Sequence, residues 1–155
     1  MTLTKLKEFL KGHNITYKTI SHSQAFTAQE IAASSHIPGR ELAKTVMVKI
    51  DGTMAMAVVP ASYRIDFALL KSAAGASKVE LATENDFKDI FPGCEVGAMP
   101  PFGNIYGMDV YVAESLAKDG DIAFNAGSHT ELVTVSYKDF ETHVKPKVAK
   151  FSYKQ

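Results

Sequence analysis

With 155 residues, 46% hydrophobic and 22% charged, and with 17 basic side chains balancing 17 acidic ones, the chain has the make-up of one ordinary globular domain. Zero net charge excludes a globally basic nucleic-acid binder, while leaving room for a local patch that meets phosphates. The single cysteine, Cys94, excludes an internal disulfide, and no run nears the roughly 18 apolar residues of a membrane span.

Leu3, Leu6, Phe9 and Leu10 recur at helical spacing, which predicts an amphipathic helix over Thr2 to Lys11 that Gly12 ends. Because that start lacks an apolar h-region, it does not read as a secretory signal, and the expected setting is soluble and cytoplasmic. Ile15 to Ile20 predicts a short strand. Thr27-Ala28-Gln29-Glu30 matches a capping box opening a helix that runs to about Ser35, and Pro38-Gly39 breaks the chain.

Lys44 to Ile50 and Thr53 to Pro60 flank Asp51-Gly52, a dipeptide suited to a type I′ hairpin turn. The second arm is apolar on both faces and predicts a buried central strand. Asp66 caps a helix reaching Ala74, with Gly75 as its terminator. Val79 to Leu81 is a brief strand, and Thr83 opens a helix that ends near Phe91. From Pro92 to Gly107 the chain is irregular, holding three prolines and four glycines in sixteen residues. Asp109 to Ala113, Asp121 to Asn125 and Glu131 to Ser136 predict strands, followed by a helix over Tyr137 to Val144. Strands and helices mix without a βαβ rhythm, so the expected class is α+β: one domain over 1–155, a mixed β-sheet or open barrel with peripheral helices. The lysines at 145, 147, 150 and 154, like Lys5, Lys7 and Lys11, read most simply as solvated surface.

No nucleophile elbow, HExxH site, P-loop or dinucleotide fingerprint occurs. The histidines lack metal-ligand spacing, and Cys94 has no activating base beside it in sequence. Three segments remain. Lys44 shares a strand face with Val46, Val48 and Ile50, so a cation sits at the mouth of an apolar stripe. Such a lysine either snorkels to solvent or waits for a phosphate or oxyanion at a cavity rim. The loop Gly97-Ala98-Met99-Pro100-Pro101-Phe102-Gly103 combines close backbone approach with proline stiffness; it is a plain connection or a device that orients water and an amino group. Asn125-Ala126-Gly127-Ser128-His129-Thr130 is a hairpin turn or one wall of a pocket.

Taken together, in this order, these segments resemble the YbaK/ProX family of trans-editing deacylases, relatives of the editing domain inserted in bacterial prolyl-tRNA synthetases. Ala43-Lys44-Thr45-Val46-Met47-Val48 looks like the family's lysine-bearing strand, and Gly97 and Pro101 fall on its GxxxP loop. The stretches Asp66 to Lys71 and Lys78 to Leu81 are also family-like, and the similarity spans nearly the whole chain.

The resemblance implies an editing-domain fold, no metal, no cofactor, and hydrolysis of the ester that joins an amino acid to the 3′-terminal adenosine of tRNA. It implies catalytic roles for Lys44 as cation and for Gly97 as backbone positioner, with the ribose 2′-OH in proton transfer. Substrate contacts are implied for His22, Phe26, Thr45, Ala98, Met99, Pro101, Phe102, Gly103, Ser128 and His129. The implied substrate is a small amino acid of the Ala or Cys class on tRNA(Pro) or a similar tRNA, and a synthetase is a candidate partner. Met99-Pro100 inside the loop, Ile20 in place of an aromatic, and Ser128-His129 in the turn depart from the pattern, so neither an Ala nor a Cys preference is carried over. The competing expectation is a non-catalytic module of the same fold that binds aminoacyl-tRNA or a nucleotide.

Overall fold

The computed structural model describes residues 2–21, 42–87, 89–90, 98–118, 120–127 and 131–154. In chain order these form α1 (Thr2–Gly12), β1 (Tyr17–Ser21), β2 (Leu42–Ile50), β3 (Thr53–Pro60), β4 (Tyr63–Ile65), α2 (Phe67–Ala74), β5 (Val79–Leu81) and α3 (Glu84–Phe87). A 3₁₀ turn (Gly103–Tyr106), β6 (Asp109–Ala113), a second 3₁₀ turn (Leu116–Lys118), β7 (Asp121–Asn125), β8 (Glu131–Ser136), α4 (Tyr137–Val144), β9 (Lys147–Ala149) and β10 (Ser152–Lys154) follow. The expected helix over Thr27 to Ser35 lies outside the described residues, as do Cys94 and the site candidates His22, Phe26, Gly97, Ser128 and His129.

Among the described residues one mixed sheet runs in the order β1-β8-β7-β2-β3-β6-β9, with β5 added to the far end of β2 and β10 paired with β4 in a separate ribbon. The β2-β3 hairpin turns where the sequence predicts: Asp51 and Gly52 both take positive φ (50° and 83°), as a type I′ turn demands. Asp51 also ties the turn down, since its carboxylate accepts the backbone N–H groups of Ser77 and Lys78. β3 is central, flanked by antiparallel β2 and parallel β6, which explains why it is apolar on both faces.

Each sheet face carries its own core. On one side α1 and α4 supply Leu6, Leu10, Phe140 and Val144, which pack with Phe102 of the 98–103 loop over Met47, Met56, Val58, Val110 and Phe124. On the other, Leu70 of α2 and Phe151 pack over Val48, Ala55, Ala57, Val59 and Tyr111. The caps read from sequence are in place: Asp66 accepts from the Leu69 N–H, and the Ser136 hydroxyl accepts from the Asp139 N–H. Gly75 closes α2 in the left-handed conformation.

Three differences from expectation have local causes. The first strand begins at Tyr17 because Asn14 adopts positive φ and Ile15 and Thr16 complete the turn out of α1. The helix opened at Thr83 spans Glu84–Phe87, with Asp86 accepting from the Thr83 N–H and hydroxyl in a single-turn cap. The basic tail is not merely solvated surface. β9 extends the main sheet beside β6, where Lys147 reaches Asp109 at 3.7 Å and lies over the Tyr111 ring, and β10 pairs with β4.

Gly103 is the tightest of these positions. An added Cβ would stand 2.9 Å from Val110 Cγ2 and 3.1 Å from Met56 Sδ. Gly103→Ala is therefore expected to destabilise the fold by about 1–3 kcal/mol in urea unfolding, the usual cost of overfilling a packed core. Gly12→Ala, whose methyl meets nothing within 4 Å, is expected to leave the midpoint nearly unchanged.

Candidate active site

Strand β2 is unevenly supported along its outer edge. It pairs in parallel with β7 at Leu42–Ala123 and Ala43–Phe124, and with β5 only from Val48 to Ile50. Between these, Lys44 to Met47 have β3 as their only strand partner among the described residues. Extending the parallel register by one step sets Lys44 level with Asn125, at the end of β7 where the two strands part. Among the described residues the strand pairing thus leaves a notch next to Lys44.

Lys44 lies on the face of Val46, Val48 and Ile50, as strand alternation requires. It is half-buried and lines a cavity of ≈520 Å³ together with Val46, Arg64, Ile65, Phe67, Leu81 and Tyr153. Burial, and secondarily the Arg64 guanidinium nearby, push the Lys44 ammonium below its ordinary value. A partly desolvated cation with no carboxylate bridge among the described residues is suited to receive an anion or a developing negative charge.

The described part of the loop read as GxxxP is tied to the turn after β7. Ala98 is fully buried, and its carbonyl accepts the Gly127 N–H at 2.8 Å, so the loop is bolted to the turn after β7. That bond joins two of the three segments singled out in the sequence, and β7 carries the joined pair to the end of β2. It also occupies the Ala98 carbonyl. Pro100 and Pro101 are buried, while Met99 and Phe102 point into the core under α1 and α4. Thr45 is buried on the face opposite Lys44, the one it shares with Ala43 and Met47. Thr45 and Ala98 are thus buried away from the Lys44 cavity, and Met99, Phe102 and Gly103 lie in the core packing.

Two contributors are less visible in the sequence. Asn125 has a buried Oδ1 with no hydrogen-bond partner, and an orphaned acceptor at the mouth of a notch calls for an explanation. Its position in the Asn125 to Thr130 segment is the only sequence signal for it. Arg64 enters the Lys44 cavity because β4 pairs with β10, which sets Arg64 directly opposite Tyr153. Nothing in the local pattern of either three-residue strand signals that pairing. Among the described residues no group of three His, Cys, Asp or Glu side chains could hold a metal, and no helix is long and apolar enough to cross a membrane.

Comparison with known proteins matches residues 22–142 to the aminoacyl-tRNA editing domain. The proline–tRNA ligase of Bacillus mycoides (strain KBAB4) is 29% identical over 75 residues, which are 48% of this chain and 13% of that enzyme. The ligase of Bacillus cereus (strain AH187) matches to the same extent, so the similarity covers about an eighth of these relatives' length. Among solved structures, a hypothetical protein superposes with a TM-score of 0.85 at 23% identity, over 96% of this chain and 99% of its own. A candidate trans-editing enzyme for prolyl-tRNA synthetase superposes with a TM-score of 0.83 at 17% identity, over 98% and 97%. At these identities the superpositions establish the fold, which is that of the editing domain. The family match covers most of the chain, spanning the strand of Lys44, the 98–103 loop and the turn after β7. The chain belongs to the aminoacyl-tRNA editing domain family.

Proposed function

We propose that this domain acts in trans on mischarged tRNA, releasing a small amino acid of the Ala or Cys class from tRNA(Pro) or a similar tRNA. The observation that carries this reading is the half-buried Lys44 cation at the place where β2 and β7 separate. The ester enters the notch with its carbonyl or its terminal phosphate facing the Lys44 ammonium. Gly97 and the stiff loop after it hold the attacking water and the substrate on the other wall, and the Ala98–Gly127 bond keeps that wall fixed. Asn125 Oδ1 accepts a hydrogen bond from the substrate's ammonium group, which supplies the orphaned acceptor with a donor.

In the reaction, the water oxygen attacks the ester carbonyl carbon and a tetrahedral oxyanion forms. Its collapse breaks the bond between that carbon and the ribose 3′-oxygen. The proton given up by water passes by way of the ribose 2′-hydroxyl to the leaving 3′-oxygen, and free amino acid and uncharged tRNA result. An activated ester of this kind needs orientation and charge stabilisation more than a protein nucleophile. That requirement fits a site built from one cation, one amide side chain and a rigid loop. His22, Phe26, Ser128 and His129 are proposed as further pocket walls on the strength of the family resemblance. A synthetase that delivers tRNA, and a cytoplasmic setting, belong to the same proposal.

Release of labelled amino acid from tRNA(Pro) charged with Ala, Cys, Ser or Pro tests the reading. One mischarged species is expected to be hydrolysed, and Lys44→Ala is expected to lower its kcat/KM by about 100- to 1000-fold with melting unchanged. Full activity in that folded variant would remove Lys44 from the mechanism. Failure to release any of the four amino acids would favour a binding module.

The pH profile gives a second check. Because Lys44 serves as a cation and its pKa lies below the ordinary lysine value, activity is expected to fall as pH rises through that lowered pKa. After subtraction of uncatalysed ester hydrolysis, the alkaline limb should therefore appear earlier than for an ordinary lysine. Lys44→Arg is expected to remove this limb wherever activity is retained, because arginine stays charged throughout. An unchanged limb in an active Lys44→Arg enzyme would assign it to another group.

A further inference from the structure

Two histidines meet at the surface where the end of α1 lies beside the last turn of α4. His13 directly follows α1 and His143 belongs to α4, and their rings stand 5.2 Å apart between centroids at an angle of 65°. The pair is invisible to sequence spacing, because its members lie near opposite ends of the chain. His13 is exposed and His143 partly so, on the side of the sheet that α1 and α4 cover, opposite the face carrying Lys44. The His13 ring is held as a ligating ring is held. Its Nδ1 lies 2.9 Å from the Phe9 carbonyl oxygen, and a carbonyl only accepts, so Nδ1 carries the proton and Nε2 keeps its lone pair. A ring N–H given to a backbone carbonyl is the common outer partner of a metal-binding histidine. The ring also stacks on Phe9 at 4.2 Å between centroids, and Phe9 in turn meets Phe102, so the core sets its orientation. At the other helix, the Asn104 amide nitrogen lies 3.5 Å from the His143 carbonyl oxygen and ties down the end of α4. The ring spacing matches chelation. For an ion bound by one nitrogen of each imidazole at about 2.1 Å with a near-tetrahedral angle between them, the ring centres fall about 5 Å apart.

We propose that His13 and His143 form a binding site for one divalent transition-metal ion of the zinc, nickel and copper group, which clasps α1 to α4. Imidazole nitrogen suits these ions, whereas magnesium and calcium take oxygen ligands. The chain supplies two nitrogens and water completes the shell. The ion is structural: it sits across the sheet from Lys44 and takes no part in ester hydrolysis. Because it binds only where the two helices are docked, its occupancy stabilises the folded chain by mass action. Those helices supply Leu6, Leu10, Phe140 and Val144 to the packing around Phe102, so the clasp also tightens the core that holds the 98–103 loop.

The experiment is a zinc chloride titration of the full chain, followed by calorimetry, by thermal melting and by the histidine ring signals in proton–nitrogen spectra. Saturable one-to-one binding at micromolar zinc is expected, with the ring nitrogens of His13 and His143 shifting together. At free zinc about a hundred times the dissociation constant, the Tm is expected to rise by roughly 5–10 °C, while magnesium leaves it unchanged. His13→Gln and His143→Gln are each expected to lower zinc affinity by about tenfold or more and to remove most of the thermal shift. The double variant should lose little beyond either single one, since one imidazole alone cannot chelate. Each shift is taken against the same protein without metal, so lost packing does not pass for lost binding, and the ring signals of the parent need no variant at all. Undiminished zinc affinity in both single variants would overturn the proposal. So would zinc shifts on Cys94 or the other histidines with none on this pair, or no binding by the parent below millimolar zinc. Deacylation is expected to persist in metal-free protein, and a zinc requirement for turnover would contradict the structural role assigned to the ion.

Discussion

Among the described residues, β2 pairs with outer strands at both of its ends and with none between. Its first two residues pair with β7 and its last three with β5, while the hairpin partner β3 supports its whole length from the other side. A strand held this way is rigid enough to place a side chain precisely, yet among the described residues no outer strand pairs with Lys44 to Met47, although the Met47 carbonyl accepts the Ala82 N–H. Closing that edge with a continuous neighbouring strand would leave no gap between the sheet's two halves. The gap lies between the face carrying Lys44 and the opposite face, beneath which the 98–103 loop is packed.

The two faces serve different ends. On the loop side, the Phe102 ring meets Phe9, Phe124 and Phe140 with centroids 5.4–5.8 Å apart, an aromatic cluster that fixes the loop in the core. The Ala98–Gly127 bond then transmits that rigidity to the rim. On the lysine side, the walls come from a three-residue ribbon, the start of α2 and a three-residue strand, and they leave apolar side chains exposed. A wall that must hold water and an acyl group in register belongs on the stiff side. The charge on Lys44 links the two, since it stands at the boundary between them.

Much of the fold is legible in the sequence, because its signals are local. Asp51-Gly52 specifies the hairpin, Asp66 and Gly75 bound α2, and Ser136 with Asp139 opens α4, each through bonds made within a few residues. The face of Lys44 follows from alternation alone. What the sequence does not disclose is long-range: β4, β9 and β10 are three-residue strands that exist only because distant partners complete their hydrogen bonds. The ribbon that β4 and β10 build brings Arg64 and Tyr153 to the cavity beside Lys44. Likewise, Met99 and Phe102 sit in a loop of functional appearance, yet their side chains supply core volume. A glycine-proline loop shows where backbone is stiff, whereas the fate of its apolar side chains depends on α1 and α4 lying over it. Gly103 fits the same account, since Val110 and Met56 approach too closely to leave room for a side chain.

The most direct test of the central claim, that the aminoacyl ester sits in the notch between β2 and β7, is chemical-shift mapping with a non-hydrolysable 3′-aminoacylamido-adenosine. The account predicts that saturable shifts concentrate on the Lys44 side-chain ammonium, the Asn125 side-chain amide and the backbone amides of Thr45 and Gly127, with the Lys44 pKa rising as an anion or polarised carbonyl takes its place beside the ammonium. Shifts confined to the depression between β1, β8 and the start of α4, around Lys18, Thr134 and Asp139, would contradict it and move the site to the opposite end of the sheet.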